Sequence, residues 1–164
     1  MARQPRRLAG AVRSFSAPFR RSDAGLSEAS RIHKHLIKMA APASRSGGVL
    51  VQYVVVRSDL LTELSWPFGA VIAQACHACT AALHFFGNDP NTIAYTENLD
   101  GMHKVVLAAP TDSKLLALSQ ALQAASIDHK LWTEQPENIP TCLATKPYAK
   151  ADVQSFFKDF KLFK

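Results

Sequence analysis

The chain has few cysteines, few glycines and no long apolar run, and each shortage closes off a class of protein. Three cysteines in 164 residues, an odd number, argue against a disulfide framework and for a reducing compartment. No stretch of 18 or more consecutive apolar residues occurs, so no transmembrane helix and no membrane partner are expected. A glycine-rich phosphate-cradling loop is missing, and Gly69 stands alone at the start of its helix. Cys76-His77-Ala78-Cys79 has the C-x-x-C spacing, but it falls about three turns into a helix rather than at its N-terminus, where the helix dipole would activate a thiol. Cys76 and Cys79 are therefore assigned to core packing. Cys142 and the scattered histidines add no second paired ligand motif, so no metal site is expected.

Acidic residues are absent before Asp23, and this skews the charge. Residues 1–45 hold ten Lys/Arg and two acids, +8, whereas 46–164 hold nine Lys/Arg and eleven acids, −2. The net +6 and the pI near 9.4 thus belong to the N-terminal extension. A basic pI points to nucleic acid, but here the folded part is slightly acidic, and any cationic surface on it would be a local patch. The 1–48 segment, rich in Arg, Ser, Ala and Pro, reads as a disordered basic extension, with a mitochondrial transit peptide as the alternative. The expected location is the cytoplasm, with the mitochondrion second. Met39-Ala40-Ala41-Pro42-Ala43-Ser44 also resembles a translation start, and a short amphipathic helix fits 27–39.

What is present is a chain long enough for one core, 48% hydrophobic and of near-zero mean hydropathy. Val49–Arg57 is almost continuously apolar and β-branched, the pattern of a central strand covered on both faces. Leu60–Trp66 reads as a connection. A helix follows from Pro67 to about Phe86. Its apolar stripe runs through Ile72, Ala75, Cys76, Cys79, Ala82, Leu83 and Phe86, and its polar row through Gln74, His77 and His84. A short helix over Thr92–Asn98, a strand over Lys104–Ala109 and a helix capped by Thr111 and reaching Ala125 come next. Strands at His129–Glu134 and Thr141–Lys146 and a last helix over Ala149–Phe160 complete the domain. Strands alternating with helices predict an α/β domain, residues 49–164, with helices on both sheet faces. The short link between the last two strands makes the sheet mixed.

Several stretches, in this order and spacing, resemble the second family of peptidyl-tRNA hydrolases, the archaeal and eukaryotic type. They are Arg57-Ser58-Asp59-Leu60, Gly69-Ala70-Val71-Ile72-Ala73-Gln74-Ala75-Cys76-His77-Ala78, Lys104-Val105-Val106-Leu107 and Leu131-Trp132-Thr133-Glu134-Gln135-Pro136-Glu137-Asn138-Ile139. The resemblance covers Val49 to Lys164. It implies a four-stranded mixed sheet, no cofactor or metal, and hydrolysis of the ester that joins a peptide to the terminal ribose of tRNA. The implied partner is tRNA or peptidyl-tRNA. The sequence leaves the oligomeric state open, a dimer being one alternative.

Ester hydrolysis needs an oriented water, a base and donors for the developing oxyanion. His77 is the candidate base, and Gln74, one turn earlier, the candidate water-orienting group or oxyanion donor. The plainer reading of His77 is a ring packed at a helix–sheet junction. Glu134 falls where the family carries an aspartate. Arg57 and Asp59, at a strand's carboxyl end, are candidate substrate-binding residues, against the plainer reading of a surface ion pair. Lys104 is a candidate phosphate contact. Ala70 stands where the family has a lysine. That departure keeps a second reading open, a tRNA- or protein-binding module on the same fold.

Overall fold

The computed structural model describes residues 48–164. The expected basic extension, except for its last residue, and the helix over 27–39 lie outside the described residues. Along the chain run β1 (Leu50–Arg57), α1 (Asp59–Thr62), α2 (Phe68–Phe85), α3 (Pro90–Glu97), β2 (His103–Ala109), α4 (Asp112–Ala124), β3 (His129–Glu134), β4 (Ile139–Thr145), β5 (Tyr148–Ala149), α5 (Lys150–Val153) and β6 (Lys161–Leu162). The sheet order is β3-β4-β1-β2-β6, with β5 also paired to β1. β1 and β2 are parallel, and every other pairing is antiparallel.

β1 is central because both of its pleat faces are apolar. Val51, Tyr53 and Val55 enter one core with Leu115, Leu118 and Leu122 of α4, while Val54 and Val56 enter a second with Leu60, Val71, Ala78 and Ala82 of α1 and α2. Alternation along a single strand thus feeds two cores. Each fully buried Val or Leu contributes about 1.5–3 kcal/mol relative to exposure. Helices cover both faces, as expected. Local signals also set the helix starts: the Asp89 carboxylate accepts from Asn91 N at 2.9 Å to open α3, and Thr111 Oγ1 accepts from Lys114 N at 3.3 Å to open α4.

Four expectations need correction. The sheet has six strands rather than four, because β5 and β6 are two-residue pieces too short to carry a hydrophobic period. The connection after β1 contains α1, one turn that buries Leu60. The last helix is not continuous over Ala149–Phe160. Ala149 pairs with Leu50 in the sheet, α5 is four residues long, and a 3-10 turn follows at Gln154–Phe157. That turn seats Phe157 against Tyr53 with ring centroids 4.2 Å apart and planes within 1°, and aromatic packing overrides helix periodicity there.

The fourth correction concerns α2. Its buried residues are Val71, Gln74, Ala78 and Ala82, whereas Ile72 is 49% exposed and Cys76 is exposed. The helix is turned so that Gln74, expected on the polar row, faces the sheet. Small apolar residues surround this helix on most sides, so hydrophobic spacing alone leaves its rotation undetermined. At 18 largely apolar residues, α2 also meets the length and composition of a membrane span, yet its inner face packs on β1, β3 and β4. Cys79 remains half-buried, as a packing residue should, and burial pushes its thiol up from the ordinary 9.0.

Lys146, just beyond β4, ties three loops together. Its ammonium pairs with Asp89, lies 3.2 Å from Asp128 Oδ2 and stands 4.8 Å from the centroid of the Tyr148 ring.

Candidate active site

Five of the six residues singled out in the sequence connect to one piece of backbone, the β3–β4 hairpin. Trp132 pairs with Cys142 but Thr133 pairs with Pro140, so Thr141 is an extra residue on β4 and forms a bulge. In a regular strand Thr141 and Cys142 would point to opposite faces. Here both reach the α2 side: Cys142 lies in the core beneath α2, and the Thr141 hydroxyl donates to Gln74 Oε1 at 2.8 Å. The Gln74 amide nitrogen donates back to the Ala70 carbonyl at 3.3 Å. Gln74 is 3% exposed and Thr141 is 0% exposed, so the pair is a strut between helix and strand, with both ends of the amide engaged.

Arg57 closes the same hairpin from β1. Its Nε donates to Asp59 Oδ1 at 3.0 Å, Nη2 to Asp59 Oδ2 at 2.7 Å, and Nη1 to the Pro140 carbonyl at 2.9 Å. This is a bidentate pair with a third bond to the backbone. Arg57 is 6% exposed and Asp59 is half-buried, so the pair is largely withdrawn from the surface. The hydrogen bonds that Arg57 donates to Asp59 raise its guanidinium above its usual value and prevail over the opposing effect of burial.

His77 is exposed on the flank of α2 that faces β3. Its ring stacks on Trp132 with centroids 4.8 Å apart and planes 19° from parallel. The Trp132 indole N–H donates to Glu134 Oε2 at 2.9 Å. Trp132 and Glu134 are two residues apart on one strand and so share a face. An imidazole and a carboxylate from different elements are thus held on the face and the edge, respectively, of one indole.

Lys104 is not brought to this group. Its ammonium donates to Gln52 Oε1 at 2.9 Å and to the Tyr95 hydroxyl at 3.2 Å. In the parallel ladder it lies opposite Gln52, whereas Ala109 lies opposite Arg57. Five residues at ~3.3 Å each put it ~17 Å along the sheet from the Arg57 end.

The sequence reading missed Thr141, Trp132 and the Pro140 carbonyl. The two-residue spacing of Trp132 and Glu134 was a usable signal. The local mark of the bulge that redirects Thr141 is Pro140, since an interior strand admits proline only at its start or at a bulge. Among the described residues, no group of three or more His, Cys, Asp or Glu is arranged to hold a metal ion. Chemically, the hairpin and α2 together offer an exposed histidine, a tethered carboxylate whose second oxygen has no hydrogen-bond partner among the described residues, and a buried frame behind them.

Residues 50–163 match the family model described as "Peptidyl-tRNA hydrolase PTH2". A human protein named "Putative peptidyl-tRNA hydrolase PTRHD1" is 53% identical over 128 residues, covering 77% of this chain and 91% of the human one. The mouse protein of the same name is 49% identical over 130 residues, covering 79% of this chain and 93% of its own.

Proposed function

The chain belongs to the PTH2 family of peptidyl-tRNA hydrolases, and from that premise we propose that it hydrolyses the ester between a peptide and the terminal ribose of tRNA. Residues 49–164 are the catalytic domain, and the basic 1–48 segment is an extension. In this reading His77 takes a proton from a water molecule as that water attacks the ester carbonyl. The tetrahedral intermediate then collapses, the carbon–oxygen bond to the ribose breaks, and the imidazolium returns the proton to the departing ribose oxygen. Glu134 supports the charge that develops on His77 or orients the water through its free oxygen. Gln74 with Thr141, and Arg57 with Asp59, brace the two backbones that carry these groups.

The observation that carries this reading is the exposed His77 ring, fixed on Trp132 beside a tethered carboxylate in a chain of this family. Exposure leaves the ring's edge open to water and substrate. The +8 of residues 1–45 adds attraction for a polyanion that the domain itself, at −2, lacks. A cytoplasmic site of action, with the mitochondrion as the alternative, belongs to the same reading.

A second reading has an observation of its own. Ala70, on the α2 flank of His77, stands where the family carries a lysine. A binding module that holds tRNA without cleaving it follows from that. Single-turnover hydrolysis of a peptidyl-tRNA, with the full chain in excess and its binding to tRNA shown to be saturated, separates the two. Peptide release that is lost in His77→Ala supports the hydrolase. Saturated binding with no release above buffer supports the module.

A further inference from the structure

We propose that Trp132 is a positioning residue for the reaction, holding His77 and Glu134 in a fixed relation to each other. This role deepens the hydrolase reading and rests on it. Trp132 is the last residue of β3 in regular register before the bulge, and its ladder partner, Cys142, is completely buried. One side of the residue is therefore fixed to the core beneath α2, against which Trp132 packs. A tryptophan used only for packing would satisfy its N–H on a backbone carbonyl or water. Here the N–H is directed at a carboxylate two residues along the strand, at 2.9 Å. The ring face meanwhile carries an imidazole from another element at 4.8 Å.

Among the described residues His77 makes no side-chain hydrogen bond, and the residue is exposed, so the indole is what orients its ring. An unrestrained histidine on a helix surface samples several rotamers. Stacking on a core-anchored indole removes that freedom. The same indole holds one oxygen of Glu134 and leaves the other open. Two groups from α2 and β3 thereby gain a defined separation that neither backbone element imposes alone. Displacement by about 1 Å at a reacting centre costs roughly 10²-fold in rate, so a plate with this geometry is worth a measurable share of turnover.

The test uses the full chain and single-turnover hydrolysis of peptidyl-tRNA, with Trp132→Phe, Trp132→Leu and Glu134→Gln beside the unaltered protein. Trp132→Phe keeps a ring under His77 and removes the N–H, and Trp132→Leu removes both. The expected rate constants fall about tenfold and about 100-fold, respectively, while the tRNA concentration for half-saturation stays within about twofold of the unaltered chain. Glu134→Gln retains an acceptor for the indole and isolates the contribution of charge. Nuclear magnetic resonance gives a readout independent of turnover. The His77 ring protons are shifted by the indole ring current in the unaltered chain, keep most of that shift in Trp132→Phe and lose it in Trp132→Leu. A folded Trp132→Leu with an unchanged rate constant, or His77 protons that do not respond to the substitution, overturns the positioning role alone. An unaltered chain that binds tRNA to saturation and releases no peptide overturns the hydrolase reading, and this role with it.

Discussion

Thr141 on β4 donates its hydroxyl hydrogen to the side-chain oxygen of Gln74 on α2, across 2.8 Å of protein interior. Both residues are buried, and they are 67 positions apart in sequence. Removing one partner leaves the other desolvated and unpaired, which costs about 1–3 kcal/mol. Thr141→Val, nearly isosteric, is expected to lower the unfolding free energy by that amount. Gln74→Leu together with Thr141→Val is expected to recover much of it, since an apolar pair leaves nothing unsatisfied. Urea unfolding of the two single variants and the double variant measures the coupling. Additive losses would mean the hydrogen bond is not the strut described above.

The Arg57–Asp59 pair gives a larger effect. The two side chains are 7% and 14% exposed, and the guanidinium also holds the Pro140 carbonyl. Asp59→Ala leaves a buried cation without its counter-charge and is expected to cost about 3 kcal/mol. The hairpin that carries Trp132 and Glu134 loses its anchor to β1 as well. Faster amide hydrogen exchange over residues 139–142 would accompany the loss. A change below about 0.5 kcal/mol would place the pair with ordinary surface ion pairs.

Stability is expected to decline at alkaline pH. Burial, with Cys79 adding to it, pushes the Cys142 thiol well above the ordinary 9.0, and burial raises Tyr148 above 10.0. Burial opposes the charge on Lys146, but the hydrogen bond to Asp89, the charge of Tyr148 and the hydrogen bond to Asp128 outweigh it and raise that group above 10.5. In all three the folded chain keeps its proton to higher pH than the unfolded chain. Above the unfolded value the unfolded state binds fewer protons, so stability falls as pH rises. The contribution of Cys142 is complete below about pH 9 and declines above it by up to ~1.4 kcal/mol per pH unit. Urea unfolding between about pH 8 and 10 checks the sign, and Cys142→Ala should show a flatter dependence across that interval. A flat profile in the unaltered chain contradicts the assignment.

Ala70 offers a gain-of-function measurement. The residue is half-buried in the first turn of α2, and its carbonyl, which a substitution retains, accepts from Gln74. Ala70→Lys places an ammonium on the flank that carries His77, where it can stabilise negative charge on substrate or intermediate. Single-turnover hydrolysis is expected to accelerate about tenfold or more. The comparison with His77→Ala in the same background checks that the added rate uses the same site. No acceleration in a folded variant with intact tRNA binding would remove the cation from the account of this site.

The sequence by itself determined the elements whose signals are local. β1 followed from its unbroken β-branched run, α4 from its Thr111 cap and leucine stripe, and the helical span of α2 from Pro67 and the absence of a breaker before Gly87. The ordered stretches also carried the family, and with it His77, Gln74, Glu134, Arg57 and Asp59 as candidates. Only the tertiary structure decided how those residues face one another. The rotation of α2 depends on Thr141, the burial of Arg57 on a carbonyl 83 residues away, and the aim of Thr141 on one extra residue in the ladder. Periodicity and capping act within a turn or a strand. Hydrogen bonds between buried groups and the register of a bulge depend on partners that adjoin only after the sheet has closed, which is why the strut, the anchor and the indole plate could not be read from the residues alone.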